Sequence, residues 1–150
     1  MSIESPSRAG ALPFPTAVRI QMTLSAGSGS DVPFQLASTR PGIVMPGNPP
    51  SINLDGIRQQ VLITIELVGS PDIHFPANPH DAAWFASGTT FPTTPGNGGG
   101  MFRPLATSHD HKELTFLAVN PGDGGTFRAR FNFSSDLAVA VSGGPIIIND

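Results

Sequence analysis

The chain is 150 residues long and holds 17 glycines and 16 prolines, so about a fifth of its positions make turns or break helices. Only 13% of its residues are charged, against ~25% in an ordinary soluble domain, and the formal net charge is −3. It contains no cysteine, which excludes disulfides, thiolate metal sites and cysteine nucleophiles together.

This length predicts one domain with a core of its own. The Gly and Pro share stays below the roughly 25–30% of low-complexity chains, and the low net charge also argues for a folded chain. The eight basic residues form nothing denser than Arg128 and Arg130, so no nucleic-acid partner is expected. No stretch approaches ~18 apolar residues, and no membrane insertion is expected. The first residues lack the basic-then-apolar pattern of a signal peptide, which predicts a cytoplasmic location.

Residues 1–15 read as an extended N-terminal arm, because Pro6, Pro13 and Pro15 block a helix. Residues 16–150 then read as a single domain. Thr16–Leu24 alternates, with Val18, Ile20, Met22 and Leu24 on one face and Arg19, Gln21 and Thr23 on the other. That period of two marks a half-buried strand. After a turn at 27–31, Val32, Phe34 and Leu36 continue the pattern, which predicts an antiparallel hairpin. Residues 40–60 are broken by Pro41, Pro46, Pro49 and Pro50 and read as a loop with short extended pieces at 43–45 and 51–54. Residues 61–68 are rich in β-branched side chains and predict a strand in the middle of a sheet. Thr64 and Glu66 share one face of it, and Glu66 is expected to face solvent.

Residues 69–101 are the least regular part, with Pro71, Pro76, Pro79, Pro92 and Pro95 and a Gly-Asn-Gly-Gly-Gly run at 96–100. Residues 81–86 predict one helical turn with Asp81 as its N-cap. A loop this long inside a compact domain is often functional, so a loop-borne site is expected here. Strand patterning returns at 112–120, 126–133, 137–142 and 145–149, with a tight return at 121–125 where Asp and Gly supply positive φ. Phe127, Ala129, Phe131 and Phe133 face one way, while Arg128, Arg130 and Asn132 face the other. No long window carries a helical period. The chain therefore predicts an all-β fold: a single antiparallel β-sandwich, immunoglobulin-like or cupredoxin-like, with a long irregular loop at about 69–101. A closed barrel is the structural alternative.

The C-terminal third, from Leu114 through Phe133 to the ending Gly144-Pro145-Ile-Ile-Ile-Asn149-Asp150, resembles the tail of the small bacterial DP-EP family. That family ends in a strand built around Asp-Pro followed by alternating apolar residues and an Asn. Here Gly144 stands before Pro145 where the family has its acid. The resemblance implies an all-β sandwich and implies no chemistry.

His74, His80, His109 and His111 are the candidate metal ligands. On a strand, the i, i+2 spacing of His109 and His111 would put two imidazoles on one face, and Asp110 and Glu113 could complete a site for Zn, Cu or Fe. The cupin pattern fails, since position 103 is Arg and Glu113 follows His111 too closely. A type 1 copper site lacks its thiolate. Residues 108–113 read first as a solvated loop entering the next strand, with the metal site as the alternative. No Gly-x-Ser-x-Gly elbow is present, and the 96–100 run lacks the Lys-Ser/Thr of a phosphate loop, so it reads as a mobile loop. Trp84, with Phe85, Phe91 and Phe102, is the candidate ligand-binding group, although Trp84 reads first as a plug at one end of the sandwich.

Three functions are in view. Low charge, the Pro-rich arm and the lack of a convergent polar cluster favour a non-catalytic sandwich without cofactor, acting through a protein partner or as a homo-oligomer. A His-based transition-metal protein or enzyme is the second, and a carbohydrate or small-ligand module around Trp84 the third.

Overall fold

The computed structural model describes residues 16–24, 29–57, 59–69, 71–119, 125–135 and 140–149. The arm predicted at 1–15 and the tight return at 121–124 lie outside them. In chain order, the described elements are β1 (Thr16–Leu24), β2 (Phe34–Ala37), β3 (Val44–Met45), β4 (Ser51–Asn53), β5 (Val61–Leu67) and β6 (Ile73–His74). They continue with α1 (Pro79–Ala82), β7 (Ala83–Ser87), β8 (Phe102–Thr107), β9 (Glu113–Ala118), β10 (Thr126–Ser135), β11 (Val141–Gly143) and β12 (Ile146–Ile148).

The strands form two packed sheets, an all-β sandwich. The first has the order β2-β1-β5-β9-β8, with the β-branched strand β5 at its centre. The second has the order β11-β10-β12-β4-β3, and β6 and β7 pair along the other edge of β10. Both sheets are mixed, so the antiparallel expectation needs correction: β1 runs parallel to β5, and β12 parallel to β4. The segment between β1 and β5 explains the first of these. β2 pairs with β1 as predicted, but β3 and β4 then join the opposite sheet before the chain returns beside β1.

Alternation builds the core. Val18, Ile20 and Met22 of β1, Ile63 and Ile65 of β5, and Leu114 and Phe116 of β9 point inward from the first sheet and are buried. Phe127, Ala129, Phe131 and Phe133 of β10 meet them from the second. Aromatic rings join the sheets: Phe85 stacks on Phe102 with centroids 4.6 Å apart, and Phe116 lies 5.0 Å from Phe85 and 6.0 Å from Phe131. Burial of this order, at ~25 cal/mol per Å² of apolar surface, drives the packing without any staple.

β11 and β12 form one broken strand against β10. Their pairing keeps a single register from Phe133–Val141 to Thr126–Ile148, and the Ala129 amide donates to the Pro145 carbonyl across the break. Pro145 has no N–H to complete the ladder there.

Three local expectations are corrected. The helical turn is 79–82 rather than 81–86, capped by Asn78, whose Oδ1 accepts from the His80 amide at 3.0 Å. Pro79 at the first helical position presets its φ, and from Ala83 the chain turns extended because Phe85 enters the core opposite Ala129. The region 69–101 is also less irregular than its prolines suggest, since β6 and β7 both pair with β10. Finally, β8 is a strand where none was predicted. Pro104 masks it in the sequence, and as an edge strand it tolerates a proline.

Candidate functional site

The outer face of the second sheet carries the most developed polar arrangement. Alternation along β10 turns Arg128, Arg130 and Asn132 outward, and pairing sets Trp84 of β7 beside Arg130 and Ala86 beside Arg128. The segment 88–101 then folds back over this face as a strap. Its Phe91 ring lies 4.9 Å from the Arg128 guanidinium and 5.1 Å from that of Arg130. Trp84 flanks Arg130 at 4.8 Å. A guanidinium stacked on aromatic faces is held by their quadrupoles and loses little further freedom when it bonds.

Hydrogen bonds fix the same groups. Arg128, only 5% exposed, donates through Nε to the Gly144 carbonyl at 3.1 Å and through Nη1 to the Thr89 carbonyl at 3.3 Å. Its Nη2 donates to Asp31 Oδ1 at 2.6 Å. Arg130 donates through Nε to Asn132 Oδ1 at 2.7 Å and through Nη1 to the Pro92 carbonyl at 3.0 Å. Asn132 in turn donates to the Asp81 carbonyl at 3.0 Å.

The strap closes on β7. The Phe85 amide donates to the Gly96 carbonyl, the Gly98 amide donates to the Phe85 carbonyl, and the Gly100 amide donates to Asn97 Oδ1. The 96–100 run is therefore a hydrogen-bonded turn, where a mobile loop was expected. Between strap and strand lies an open cleft of about 460 Å³, lined among others by Ser87, Thr90, Phe91, Thr93, Thr94 and Asn97. No charged side chain occurs from Ala82 to Phe102. The cleft wall thus offers hydroxyls, an amide, backbone groups and apolar rings, and carries no acid, base or thiol.

The aromatic candidates separate on this geometry. Trp84 and Phe91 are half-buried on the outer face, and Trp84 caps no end of the sandwich. Phe85 and Phe102 are core residues, 2% and 1% exposed, so a ligand arriving from solvent meets neither ring broadly.

The histidines separate as well. His74 lies on β6 opposite Ser134, and His80 lies exposed on α1 beside a smaller cleft with Pro95 and Pro104. His109 and His111 occupy a turn ahead of β9, so strand alternation does not bring them to one face as the spacing had suggested. His111 sits in the left-handed region at φ +60°. The Phe75 amide donates to the His111 carbonyl, which brings this turn beside the end of β6. Among the described residues, which include all four histidines, no three His, Asp or Glu side chains are grouped to hold a metal.

The turn itself is built from its acidic and hydroxyl groups. Ser108 Oγ donates to Asp110 Oδ1 at 2.6 Å and accepts from the Glu113 amide, while the Lys112 amide donates to Asp110 Oδ1 at 3.1 Å. The Ser108 hydroxyl first, and the Lys112 amide second, hold the Asp110 carboxyl below its ordinary pKa. On the outer face of the first sheet, Arg19 donates to Glu113 at 2.6 Å and lies 3.6 Å from Glu66, so Glu66 belongs to a surface ion-pair group.

In the sequence Arg128 and Arg130 stand out as the densest basic pair and as the polar face of a strand, but not as a site. A usable signal was present: two arginines at i, i+2 in a chain so poor in charge.

Fold and site together define a β-sandwich with an arginine–aromatic stack and a neutral cleft on one outer face. Compared with known proteins, the chain matches no family model, no curated protein and no solved structure. The likeness of its C-terminal third to the DP-EP family rests on those short motifs alone. No described helix is long and apolar enough to cross a membrane.

Proposed function

We propose that the chain is a non-catalytic β-sandwich that acts through protein contacts, made by the strap over the second sheet. One observation carries this reading: the cleft under the strap is lined wholly by neutral groups on a backbone anchored by Arg128 and Arg130. A preformed neutral surface with Phe and Thr side chains binds a partner's backbone and apolar groups at low ordering cost. The partner is another protein or a second copy of this chain.

A photo-crosslinking residue at Thr93 or Thr94 tests it, with Gln21 on the opposite face as control. Crosslinks to one discrete partner or to a second copy are expected from the strap positions and not from position 21. Equal or absent crosslinking at both faces would overturn the reading. Sedimentation across micromolar concentrations separates self-association from a foreign partner.

A second reading has an observation of its own. Ser87, Thr90, Thr93, Thr94 and Asn97 around Phe91 offer the neutral hydrogen-bonding groups that a sugar hydroxyl pairs with. Trp84 is the sole tryptophan, so its fluorescence reports on a glycan screen, and constant emission throughout would remove this reading.

A further inference from the structure

Arg128 and Arg130 are held in parallel ways on one face of β10. Each Nε donates to an acceptor of the same sheet, Gly144 O or Asn132 Oδ1. Each Nη1 donates to a strap carbonyl, Thr89 O or Pro92 O. Both guanidinium groups lie about equally far from the Phe91 ring, at 4.9 and 5.1 Å. They differ at Nη2. In Arg128 it meets the Asp31 carboxylate at 2.6 Å, whereas in Arg130 it meets no acceptor among the described residues. Asp81 reaches this network only through its backbone carbonyl, which accepts from Asn132, and no ion pair links Arg130 to an acid among the described residues.

We infer that Arg130 is the receiving half of an intermolecular ion pair: a carboxylate of a protein partner takes at Arg130 the place that Asp31 takes at Arg128. The guanidinium is already oriented by two hydrogen bonds and flanked by two rings, so little side-chain entropy remains to be lost when an acid arrives. Arg130 is half-buried, and Trp84 beside it lowers the local dielectric, which strengthens a charge-assisted bond relative to one in open water. A carboxylate fits this setting better than a phosphate dianion. Phosphate sites gather several donors or charges, and the neighbouring Arg128 guanidinium is already paired with Asp31. Phe91 and Pro92 belong both to the cradle of Arg130 and to the wall of the neutral cleft, so an acidic residue at Arg130 sets the adjoining partner residues against the Thr-lined groove. The inference rests on the protein-contact reading and specifies the residue class that the partner presents.

The test uses the full chain and a matched pair of probes, N-acetylglutamate amide and N-acetylglutamine amide, which share a shape and differ in charge. At constant ionic strength, the NMR signals of the Arg130 Nε–H and the Trp84 indole N–H should shift saturably with the glutamate probe and stay put with the glutamine probe. Arg130→Gln should abolish the response and leave the Arg128 Nε–H signal in place. Should that variant fail to fold, Arg130→Lys keeps the charge, loses the planar fork and should weaken the response several-fold. Equal shifts with both probes would overturn the carboxylate and leave the protein-contact reading to its crosslinking test. No shift with either probe up to roughly 100 mM would overturn the inference as well.

Discussion

At position 144 a Cβ would run into the carbonyl of Ala129, on the strand that the C-terminal segment pairs with. Glycine is required by this close approach, since any Cβ there would have to move β10. Gly144→Ala should therefore destabilise the fold by about 1–3 kcal/mol, the usual cost of overpacking. Urea denaturation followed by circular dichroism measures it, and an unchanged midpoint would contradict the contact. Arg128 makes a second residue-scale case. Its guanidinium is nearly enclosed and, among the described residues, its carboxylate partner is Asp31, which sits at φ +54°. Asparagine tolerates that backbone conformation, so Asp31→Asn removes the charge and little else. The loss should be about 1–3 kcal/mol, the range for a charge-assisted hydrogen bond, reduced by the exposure of Asp31 itself.

Among the elements, the turn at 108–113 illustrates how local chemistry overrides spacing. Two histidines at i, i+2 face the same way only on a strand, and Asp110 prevents a strand here by accepting from Ser108 and the Lys112 amide. Because the folded state holds Asp110 below its ordinary pKa, the turn gains stability that is present above about pH 4 and is lost as pH falls through the folded value. Asp110→Asn should lower the neutral plateau toward the acid value and flatten the acid limb, because the stability that the carboxylate adds above that pH is then missing at every pH. Chemical denaturation from pH 2 to pH 7 is the measurement. α1 shows the same rule from another side: Asn78 and Pro79 place the helix start earlier than Asp81 suggested, and pairing of β7 with β10 ends it.

For the molecule as a whole, three sheet edges are protected against pairing. β8 carries Pro104 and a register shift between Pro104 and Ala106. β3 is two residues long between Pro41 and Pro46, and β7 is covered by the Gly96–Phe85 and Phe85–Gly98 bonds. Such devices suppress edge-to-edge pairing along β8, β3 and β7. Pro104→Val restores a ladder donor on an open edge and should raise association at high concentration. Light scattering against protein concentration would show it, and an unchanged apparent mass would mean that the bulge alone protects the edge.

Much of the fold was legible because period-two alternation is local. It located β1, β5, β9 and β10, put Thr64 and Glu66 on one face of β5, and set Phe131 and Phe133 on the face opposite Arg128 and Arg130. The missed strand β8 and the misplaced helical turn are both cases where proline weighs on a single-sequence reading but position in the sheet permits it. At the candidate site, the sequence singled out the stretch 69–101 with Trp84 and Phe91, which the fold sets around Arg130, but grouped them with the core rings Phe85 and Phe102. Adjacent residues on a strand face opposite ways, and only knowing that 83–87 is a strand separates Trp84 from Phe85.

From the residues alone came the all-β class, the absence of thiol chemistry and the inward face of each main strand, since composition and alternation are properties of the chain itself. Tertiary structure decided the two parallel pairs, the fold-back of the strap onto β10 and the difference between Arg128 and Arg130. Each of those depends on contacts between residues distant in sequence, such as Arg128 with Asp31 and Arg130 with Pro92, and no local pattern encodes which distant partner a side chain meets.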